Sequence, residues 1–175
     1  MKETGLIQIY TGDGKGKSTA AFGLALRAAG WGLKVAVIQF MKEGGWYGEC
    51  RALENFPGIE IHSFGTGKFL KKGQQPDDGS LKLAAEAVAL AQKLRNDDTV
   101  NMLILDELCN AVWFDLVSEE TALGLMSCGR EDQELVLTGR NATAAMIEAA
   151  DLVTEMKAVK HPYEKGVQAR KGIEY

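Results

Sequence analysis

The sequence predicts an α/β protein in which a mostly parallel central sheet is covered by helices on both faces. Short apolar segments rich in β-branched residues alternate along the chain with segments whose apolar residues recur at helical spacing. A loop rich in glycine and lysine joins the first strand-like segment to the first helix-like segment, and a later apolar segment leads directly into two acidic residues. Such alternation is typical of parallel strands joined by crossover helices.

Length and composition limit the class of protein. The 175 residues suit one domain, spanning 1–175, with a single core, and 46% hydrophobic and 25% charged residues are ordinary for a globular protein. A net charge of −4 and a pI near 5.3 argue against a nucleic-acid-binding protein that works by bulk positive charge. No signal peptide or spanning apolar stretch is visible, so we expect a cytoplasmic protein that makes no membrane contact.

The cysteines and histidines do not suggest a metal site. Cys50, Cys109 and Cys128 form no C-x-x-C pair, and His62 and His161 lie far apart in the sequence. We therefore interpret the cysteines as reduced thiols that pack as small hydrophobic side chains.

The first part of the chain contains three predicted strands and one helix. Leu6–Tyr10 is the first strand, and the Ala- and Leu-rich segment from Lys17 to about Gly30 is a helix that glycine ends. Lys34–Phe40 and Ile59–Phe64 carry the β-branched and aromatic residues of strands.

Two predicted loops flank the third strand, at Met41–Gly48 and Gly65–Gly79. Asp77 then offers a helix cap, and Leu81–Arg95 repeats apolar residues at helical spacing. Val100–Leu105 is a nearly continuous apolar strand.

The last part of the chain continues the alternation. Glu119 to about Met126 is a predicted helix, Glu134–Thr138 a strand, Ala142–Ala150 a helix, and Leu152–Met156 a last strand.

The segment T-G-D-G-K-G-K-S at Thr11–Ser18 resembles a phosphate-binding loop with one change. The usual pattern begins with Gly five positions before the second Gly, but Thr11 holds that place and the first Gly is Gly12. Such a loop points its N–H groups at phosphate oxygens, and the start of the following helix adds positive potential. A glycine-rich turn with surface lysines is the alternative. The predicted ATP-binding residues of the segment are Gly12, Asp13, Gly14, Lys15, Gly16, Lys17, Ser18 and Thr19.

Two acidic residues complete this pattern. Lys17 would place its ammonium on the phosphates, and Ser18 would offer its hydroxyl to Mg²⁺. In M-L-I-L-D-E-L, Asp106 and Glu107 follow an apolar strand and would hold the same ion directly or through water. An exposed carboxylate at the end of a strand is the alternative.

Arg140, in the T-G-R of Thr138–Arg140, follows another predicted strand. It would reach the edge of the sheet where ligands of α/β proteins bind, and it could stabilise phosphate charge there. A solvated loop arginine is equally compatible with the tripeptide.

These residues together predict a P-loop NTPase-like (RecA-like) fold that binds Mg²⁺ and a nucleotide. They leave the reaction open. Glu107 as the base of an ATPase or kinase, transfer to a second substrate, and a nucleotide-binding module without chemistry all agree with the pattern.

Five segments spread over nearly the whole chain resemble the ATP:corrinoid adenosyltransferases. The most specific are the opening Y-T-G-D-G-K-G-K-S-T-A-A-F-G-L-A-L-R-A-A-G and the ending V-K-H-P-Y-E-K-G-V-Q-A-R-K-G-I-E-Y, and between them lie V-I-Q-F-M-K, L-I-L-D-E-L and T-G-R. The resemblance implies that Co(I) of a corrinoid attacks the 5′-carbon of ATP and that triphosphate leaves. It also implies that the altered loop holds ATP in the reverse sense to ordinary P-loop enzymes.

The resemblance assigns roles to residues. Lys17, Glu107 and Arg140 would be catalytic, Ser18 and Glu107 would serve Mg²⁺, and Arg27 would contact the adenosine. An exposed helix arginine is the alternative for Arg27. It further implies a homodimer. An electron-donating reductase or flavin is also implied, because the cobalt must be reduced before it attacks.

Aromatic residues are implied on the corrinoid side, where family members expel the lower cobalt ligand. In F-G-T-G-K-F-L at Phe64–Leu70 some relatives carry Phe and Trp, two apart, at the places held here by Lys68 and Leu70, so Phe69 is the candidate. Trp46 is a second corrinoid candidate, with Tyr47 beside it.

Two further expectations concern other parts of the chain. Trp113 and Phe114, which follow the D-E-L segment, are predicted to be core residues. The first strand begins only a few residues into the sequence, so we expect a more open corrinoid site than in relatives with an N-terminal arm. A locally basic C-terminal tail would serve as a lid, or would be solvated.

Overall fold

The computed structural model of the protein describes residues 4–45, 47–67, 70 and 73–175. These residues contain a six-stranded parallel sheet of order β3-β2-β4-β5-β1-β6. The strands are β1 (Ile7–Thr11), β2 (Val35–Phe40), β3 (Ile59–Phe64), β4 (Met102–Asp106), β5 (Glu134–Thr138) and β6 (Leu152–Glu155). The predicted fold class is therefore confirmed.

The helices lie between the strands, as the predicted alternation requires. They are α1 (Lys17–Gly30), α2 (Gly48–Leu53), α3 (Asp78–Arg95), α4 (Leu108–Trp113), α5 (Glu119–Ser127) and α6 (Ala144–Glu148), and a 3₁₀ turn follows at Pro162–Lys165. None of the helices in the described part of the chain is long and apolar enough to span a bilayer.

Most element boundaries agree with the sequence within a few residues, and the differences have local causes. The α3 helix begins at Asp78 because the Asp77 carboxylate caps it, accepting from the Ser80 N–H at 2.9 Å. The sequence patterns missed α2 and α4. Each has six residues, which is too short for helical spacing to be recognised.

The sheet divides the core into two layers, one on each face. Along β2, Ala36, Ile38 and Phe40 point to the layer that contains α3 and α5, whereas Val35 and Val37 point to the layer that contains α1. This two-residue alternation explains why the strand is apolar throughout: both faces are covered. All six of its residues are buried.

The strand register brings the carboxyl ends of β1, β2, β4 and β5 to one edge of the sheet. Gln39 pairs with Asp106 across β2 and β4, and Tyr10 pairs with Thr138 across β1 and β5. Because β5 lies between β1 and β4, Thr138 stands between the phosphate-binding loop after β1 and the acidic residues after β4. Ligands of open α/β sheets bind at this edge.

The cysteines are unpaired, and two of them are buried. Burial, and then the nearby Glu107, raise the pKa of Cys109 to about 12, and burial, followed by Glu49, raises the pKa of Cys50 to about 11. Both thiols should therefore remain protonated at pH 8, whereas Cys128 is only half-buried.

We expect iodoacetamide at pH 8 to alkylate no thiol of the folded protein except Cys128, because the thiolate is the nucleophile. Mass spectrometry of the labelled protein measures this, with protein in guanidinium chloride as the fully reactive reference. The C128S variant should remain unlabelled when folded. Labelling of Cys109 at the rate seen in denaturant would contradict its burial.

Candidate active site

The phosphate-binding loop is fixed by its contact with residue 156, which follows β6. The Gly14 N–H donates to the Met156 carbonyl at 2.6 Å, and the Met156 N–H donates to the Thr11 carbonyl at 2.8 Å. A Cβ on Gly12 would lie 2.5 Å from the Met156 carbonyl oxygen, and Gly12 has a φ of 95°. Gly12 therefore has no room for a side chain, while Thr11 before it is the last residue of β1 and its buried hydroxyl accepts from the Ala142 N–H at 3.4 Å.

Gly16 is the N-cap residue that joins this loop to α1. Its φ of 121° is accessible to glycine and strained for other residues. The turn places the first N–H groups of α1 toward the open edge of the sheet, where such groups bind anions.

The Lys17 ammonium is folded back onto its own loop. It donates to the Gly12 carbonyl at 2.6 Å and to the Gly14 carbonyl at 2.7 Å, and the residue is only 8% exposed. Burial, and then the positive charge of Arg140, lower the pKa of Lys17. A cation that is held by two carbonyl oxygens and lies near a second cation is well placed to receive an anionic ligand.

Asp106 is fully buried at the end of β4 and satisfied on both carboxylate oxygens. The Thr138 hydroxyl donates to Oδ1 at 2.7 Å, while Lys42 at 2.7 Å and Gln39 at 3.1 Å donate to Oδ2. Burial is the strongest influence and raises the pKa of this carboxyl, but the charge and hydrogen bond of Lys42, together with the hydrogen bonds from Thr138 and Ser18, bring the pKa below its usual value. Asp106 is therefore an ionised carboxylate and not the exposed one that the alternative interpretation required.

The environment of Glu107 shifts its pKa in the opposite direction to that of Asp106. Its backbone is left-handed, with a φ of 64°, and its N–H donates to the Thr138 hydroxyl at 2.9 Å. Asn110 donates to its carboxylate, and the Asn110 side-chain carbonyl accepts from the Arg140 N–H at 2.9 Å. Burial, and then the negative charge of Asp106, raise the pKa of Glu107. The unusual backbone turns this carboxylate toward the open edge of the sheet while Asp106 points inward.

A cavity of about 930 Å³ opens at this edge and is large enough for a nucleotide and part of a second ligand. The predicted residues Lys17, Ser18, Glu107 and Arg140 line it together. Among the other residues that line it are Gly14, Lys15, Gly16, Thr19, Lys42, Tyr47, Leu70, Asn110, Trp113 and Phe114.

The prediction that Trp113 and Phe114 belong to the core is wrong. Trp113 is 42% exposed, Phe114 is half-buried, and both line the cavity. Trp113 ends the short helix α4 and Phe114 follows it, and the buried face of this helix is formed by other residues, so both aromatic side chains remain at the rim.

The C-terminal residues form another wall of the cavity. Lys15 donates to the Ile173 carbonyl at 2.7 Å and to the Glu174 carboxylate at 3.0 Å, and Arg170 pairs with the same carboxylate at 2.9 Å. The hydrogen bonds from Arg170, followed by that from Lys15, lower the pKa of Glu174 to about 2. The tail therefore lies against the phosphate-binding loop, as the predicted lid requires, but an acidic residue makes the contact.

Other predicted residues lie outside the lining of the cavity. Arg27 is an exposed residue in the last turn of α1, roughly 15 Å along the helix from Lys17. Gly12 and the exposed Asp13 belong to the loop without lining the cavity. Trp46 and Phe69 lie outside the described residues.

The oxygen atoms near the cavity fit a magnesium ion better than a transition metal. Within the described residues, no group of three or more His, Cys, Asp or Glu side chains could hold a metal ion. Ser18, Asp106 and Glu107 offer one hydroxyl and two carboxylates. Mg²⁺ is usually bound by one or two such groups, with phosphate oxygens and water completing its shell.

Sequence reasoning missed the residues that hold these groups in place. Thr138, Gln39 and Asn110 contact Asp106 or Glu107, and Lys42 joins Asp106 to the Ser18 hydroxyl, 3.3 Å from its ammonium. The sequence does show that Gln39 and Lys42 lie near the end of β2. This position indicates contact with Asp106 only when it is known that β2 adjoins β4.

Comparison with known proteins identifies the family of this chain. Residues 3–175 match the family model described as ATP:corrinoid adenosyltransferase BtuR/CobO/CobP. A corrinoid adenosyltransferase of Pseudomonas aeruginosa is 37% identical over 99% of this chain and 85% of its own length, and one of Escherichia coli K12 is 36% identical over 99% and 87%. The corrinoid adenosyltransferase CobA of Salmonella typhimurium is 34% identical over 100% and 88%.

A solved structure supports the fold alone. The KaiC-like protein PH0186 of Pyrococcus horikoshii superposes with a TM-score of 0.51 over 87% of this chain and 73% of its own, at 17% identity. The family match over nearly the whole chain, together with the relatives at more than a third identity, settles the assignment: this chain belongs to the ATP:corrinoid adenosyltransferase family.

Proposed function

We propose that this protein transfers the 5′-deoxyadenosyl group of ATP to the Co(I) centre of a corrinoid and releases triphosphate. The observation that carries the proposal is the convergence of Lys17, Ser18, Glu107 and Arg140 on one cavity in a chain of this family. In the reaction the cobalt electron pair forms a bond to C5′, the C5′–O bond breaks, and its electrons leave with triphosphate. The cobalt is oxidised as the Co–C bond forms, and no proton is removed.

The chain's main task is to stabilise the leaving group. Triphosphate leaves readily only if its growing negative charge is neutralised, and fixed cations and N–H groups do this without reorganisation. Lys17 and Arg140 supply the cations, and the N–H groups after Gly16 supply the donors. Lys15 adds a further positive charge when it is released from Glu174.

Magnesium is part of this proposal. Ser18 and Glu107 would hold the ion, with Asp106 behind them, and a bound Mg²⁺ would neutralise phosphate charge as a Lewis acid. The left-handed turn at Glu107 directs its carboxylate to the cavity, and Asn110 fixes its orientation.

The positioning of the two substrates supplies the rest of the rate acceleration. Cobalt and C5′ must be close and in line, which requires ATP to be held with its ribose toward the corrinoid. This corresponds to the reversed binding that the family resemblance implies, with Arg27 assigned to the adenosine. Trp113 and Phe114 offer aromatic surface on the cavity wall for a flat ligand.

For the corrinoid side we propose Phe69 and Trp46, the candidates that the family resemblance implies. Co(II) accepts an electron more easily after its lower axial ligand leaves, and an aromatic side chain in that place would favour departure. An electron-donating reductase or flavin would then supply Co(I). We further propose a homodimer and a cytoplasmic location, where ATP is available and the unpaired cysteines remain reduced.

The Phe69→Ala variant tests the role of the aromatic side chain. We expect it to slow the reaction that starts from Co(II) and a reductant by roughly tenfold or more, the usual size of a lost ligand-tuning contact. The reaction that starts from preformed Co(I) should change little. Equal losses in the two assays would remove ligand displacement from the role of Phe69.

The function itself is tested by incubating the protein anaerobically with Mg-ATP and a chemically reduced corrinoid. A light-sensitive Co–C product and intact triphosphate should appear in equal amounts. ADP or orthophosphate released without corrinoid would instead indicate an ATPase or kinase with Glu107 as base. Tight nucleotide binding without turnover would indicate a binding module.

A further inference from the structure

The Lys42 side chain is held between two of the groups assigned to the metal. Its ammonium lies 2.7 Å from Asp106 Oδ2 and 3.3 Å from the Ser18 hydroxyl oxygen. The side chain is only 11% exposed, and the ammonium lies 4.9 Å from the centre of the Tyr47 ring. Lys42 is therefore an ordered, largely buried cation of the active site.

The ammonium and a magnesium ion would compete for the same oxygen atoms. A metal bound to Ser18 and supported by Asp106 would stand within a few ångströms of the Lys42 nitrogen. At such distances cations repel strongly in a partly buried site. Asp106 is fully buried, so its charge needs a positive partner, and Lys42 is that partner in the nucleotide-free protein.

We propose that Lys42 is a displaceable counter-ion that occupies the magnesium position of the nucleotide-free protein and leaves it when Mg-ATP binds. This inference rests on the proposed function, because it uses the metal role assigned there to Ser18 and Asp106. It adds that the chain itself carries the cation that the metal must replace.

The surroundings of Lys42 permit this displacement. Lys42 follows β2 in a loop, lines the cavity together with Glu107, and has a flexible four-carbon stem. A triphosphate on the loop after β1 would offer the released ammonium new anionic partners within the same cavity. Asp106 thus has a cation beside it in both states, Lys42 before Mg-ATP binds and the metal afterwards. The Lys42 ammonium exchanges Asp106 for the triphosphate.

The consequence is that metal binding is linked to nucleotide binding. Free Mg²⁺ must displace Lys42 from Asp106 without offering it another anion, so the ion alone should bind weakly. Mg-ATP supplies the metal and the new partner together. Binding of bare metal, which would occupy the site unproductively, is thereby suppressed.

Manganese binding to the nucleotide-free protein tests the proposal. Mn²⁺ serves as the probe, and electron paramagnetic resonance measures the free ion during titration of the wild type and of Lys42→Met. We expect Lys42→Met to bind Mn²⁺ at least roughly tenfold more tightly, because a repelling charge has been removed. Lys157→Met is the matched control, since this exposed residue follows the Met156 anchor of the same loop and pairs with Glu155. Its Mn²⁺ affinity should remain within about threefold of the wild type.

Unchanged or weaker Mn²⁺ binding by a folded Lys42→Met protein would overturn the proposal, and so would an equal gain in Lys157→Met. If Lys42→Met fails to fold, Lys42→Gln removes the charge but retains a hydrogen-bond donor for Asp106, and the same gain is expected. These measurements contain no corrinoid and no ATP. If Lys42→Met gained Mn²⁺ affinity while the wild-type protein, assayed separately with Mg-ATP and reduced corrinoid, made no Co–C product, the proposed function would be refuted and this inference would stand.

Discussion

Replacing Lys17 with alanine should lower the rate of adenosyl transfer by about 10²–10³-fold, the usual cost of losing one fixed charge donor at a leaving or developing anion. The Lys17 ammonium is buried and held by the Gly12 and Gly14 carbonyls, so it is already ordered before ATP arrives. Alanine favours helices and should leave α1 intact. The measurement is the rate of Co–C bond formation from preformed Co(I), with triphosphate quantified in parallel.

Lys15→Ala is the matched control for this prediction. Lys15 belongs to the same loop, but its ammonium is about half-exposed and is bound by the tail. We expect a smaller loss there, because part of the charge is screened by solvent and by Glu174. Near-normal activity of Lys17→Ala, in protein whose circular dichroism matches the wild type, would contradict the placement of the phosphates on this loop.

The fold could be predicted because its strongest signals are local. Alternating apolar segments fixed the strands, and the bounds of β3 and β5 agree with the sequence to the residue. The elements that were missed, α2 and α4, are too short to show a period, and helices of this length are stabilised by the packing of their buried residues and not by helix propensity.

The candidate site could be predicted only in part because it depends on strand order. Lys17, Ser18 and the acidic pair belong to segments with recognisable patterns, and the structure brings them to one cavity. The residues that support them do not carry such patterns. Thr138 contacts Asp106 because β5 adjoins β4, and Lys42 does so because β2 adjoins β4 on the other side. No spacing along the chain encodes this adjacency.

Removal of the charge of Asp106 and of Glu107 should have opposite effects on the stability of the protein. Asp106→Asn should lower the free energy of unfolding by roughly 3 kcal/mol, because it leaves the mostly buried Lys42 ammonium without its anion. Glu107→Gln should leave stability unchanged or increase it. Folding raises the pKa of Glu107, so its ionised form at neutral pH is less favourable in the folded than in the unfolded chain. Urea denaturation at pH 7 in EDTA, without nucleotide, measures both.

The pH dependence of the free energy of unfolding provides a second check on Asp106 and Glu107. The direction of each pKa shift decides whether stability is lost or gained as the pH falls. Asp106 has a lowered pKa, so its contribution is present at neutral pH and is lost as the pH falls below about 3.9, the usual aspartate value. Glu107 has a raised pKa, so the protein gains stability as the pH falls from neutral towards about 4.3, the usual glutamate value. Glu107→Gln should abolish that gain, and Asp106→Asn should reduce the loss in stronger acid. Destabilisation of equal size in the two variants at pH 7 would mean that Lys42 does not distinguish the carboxylates.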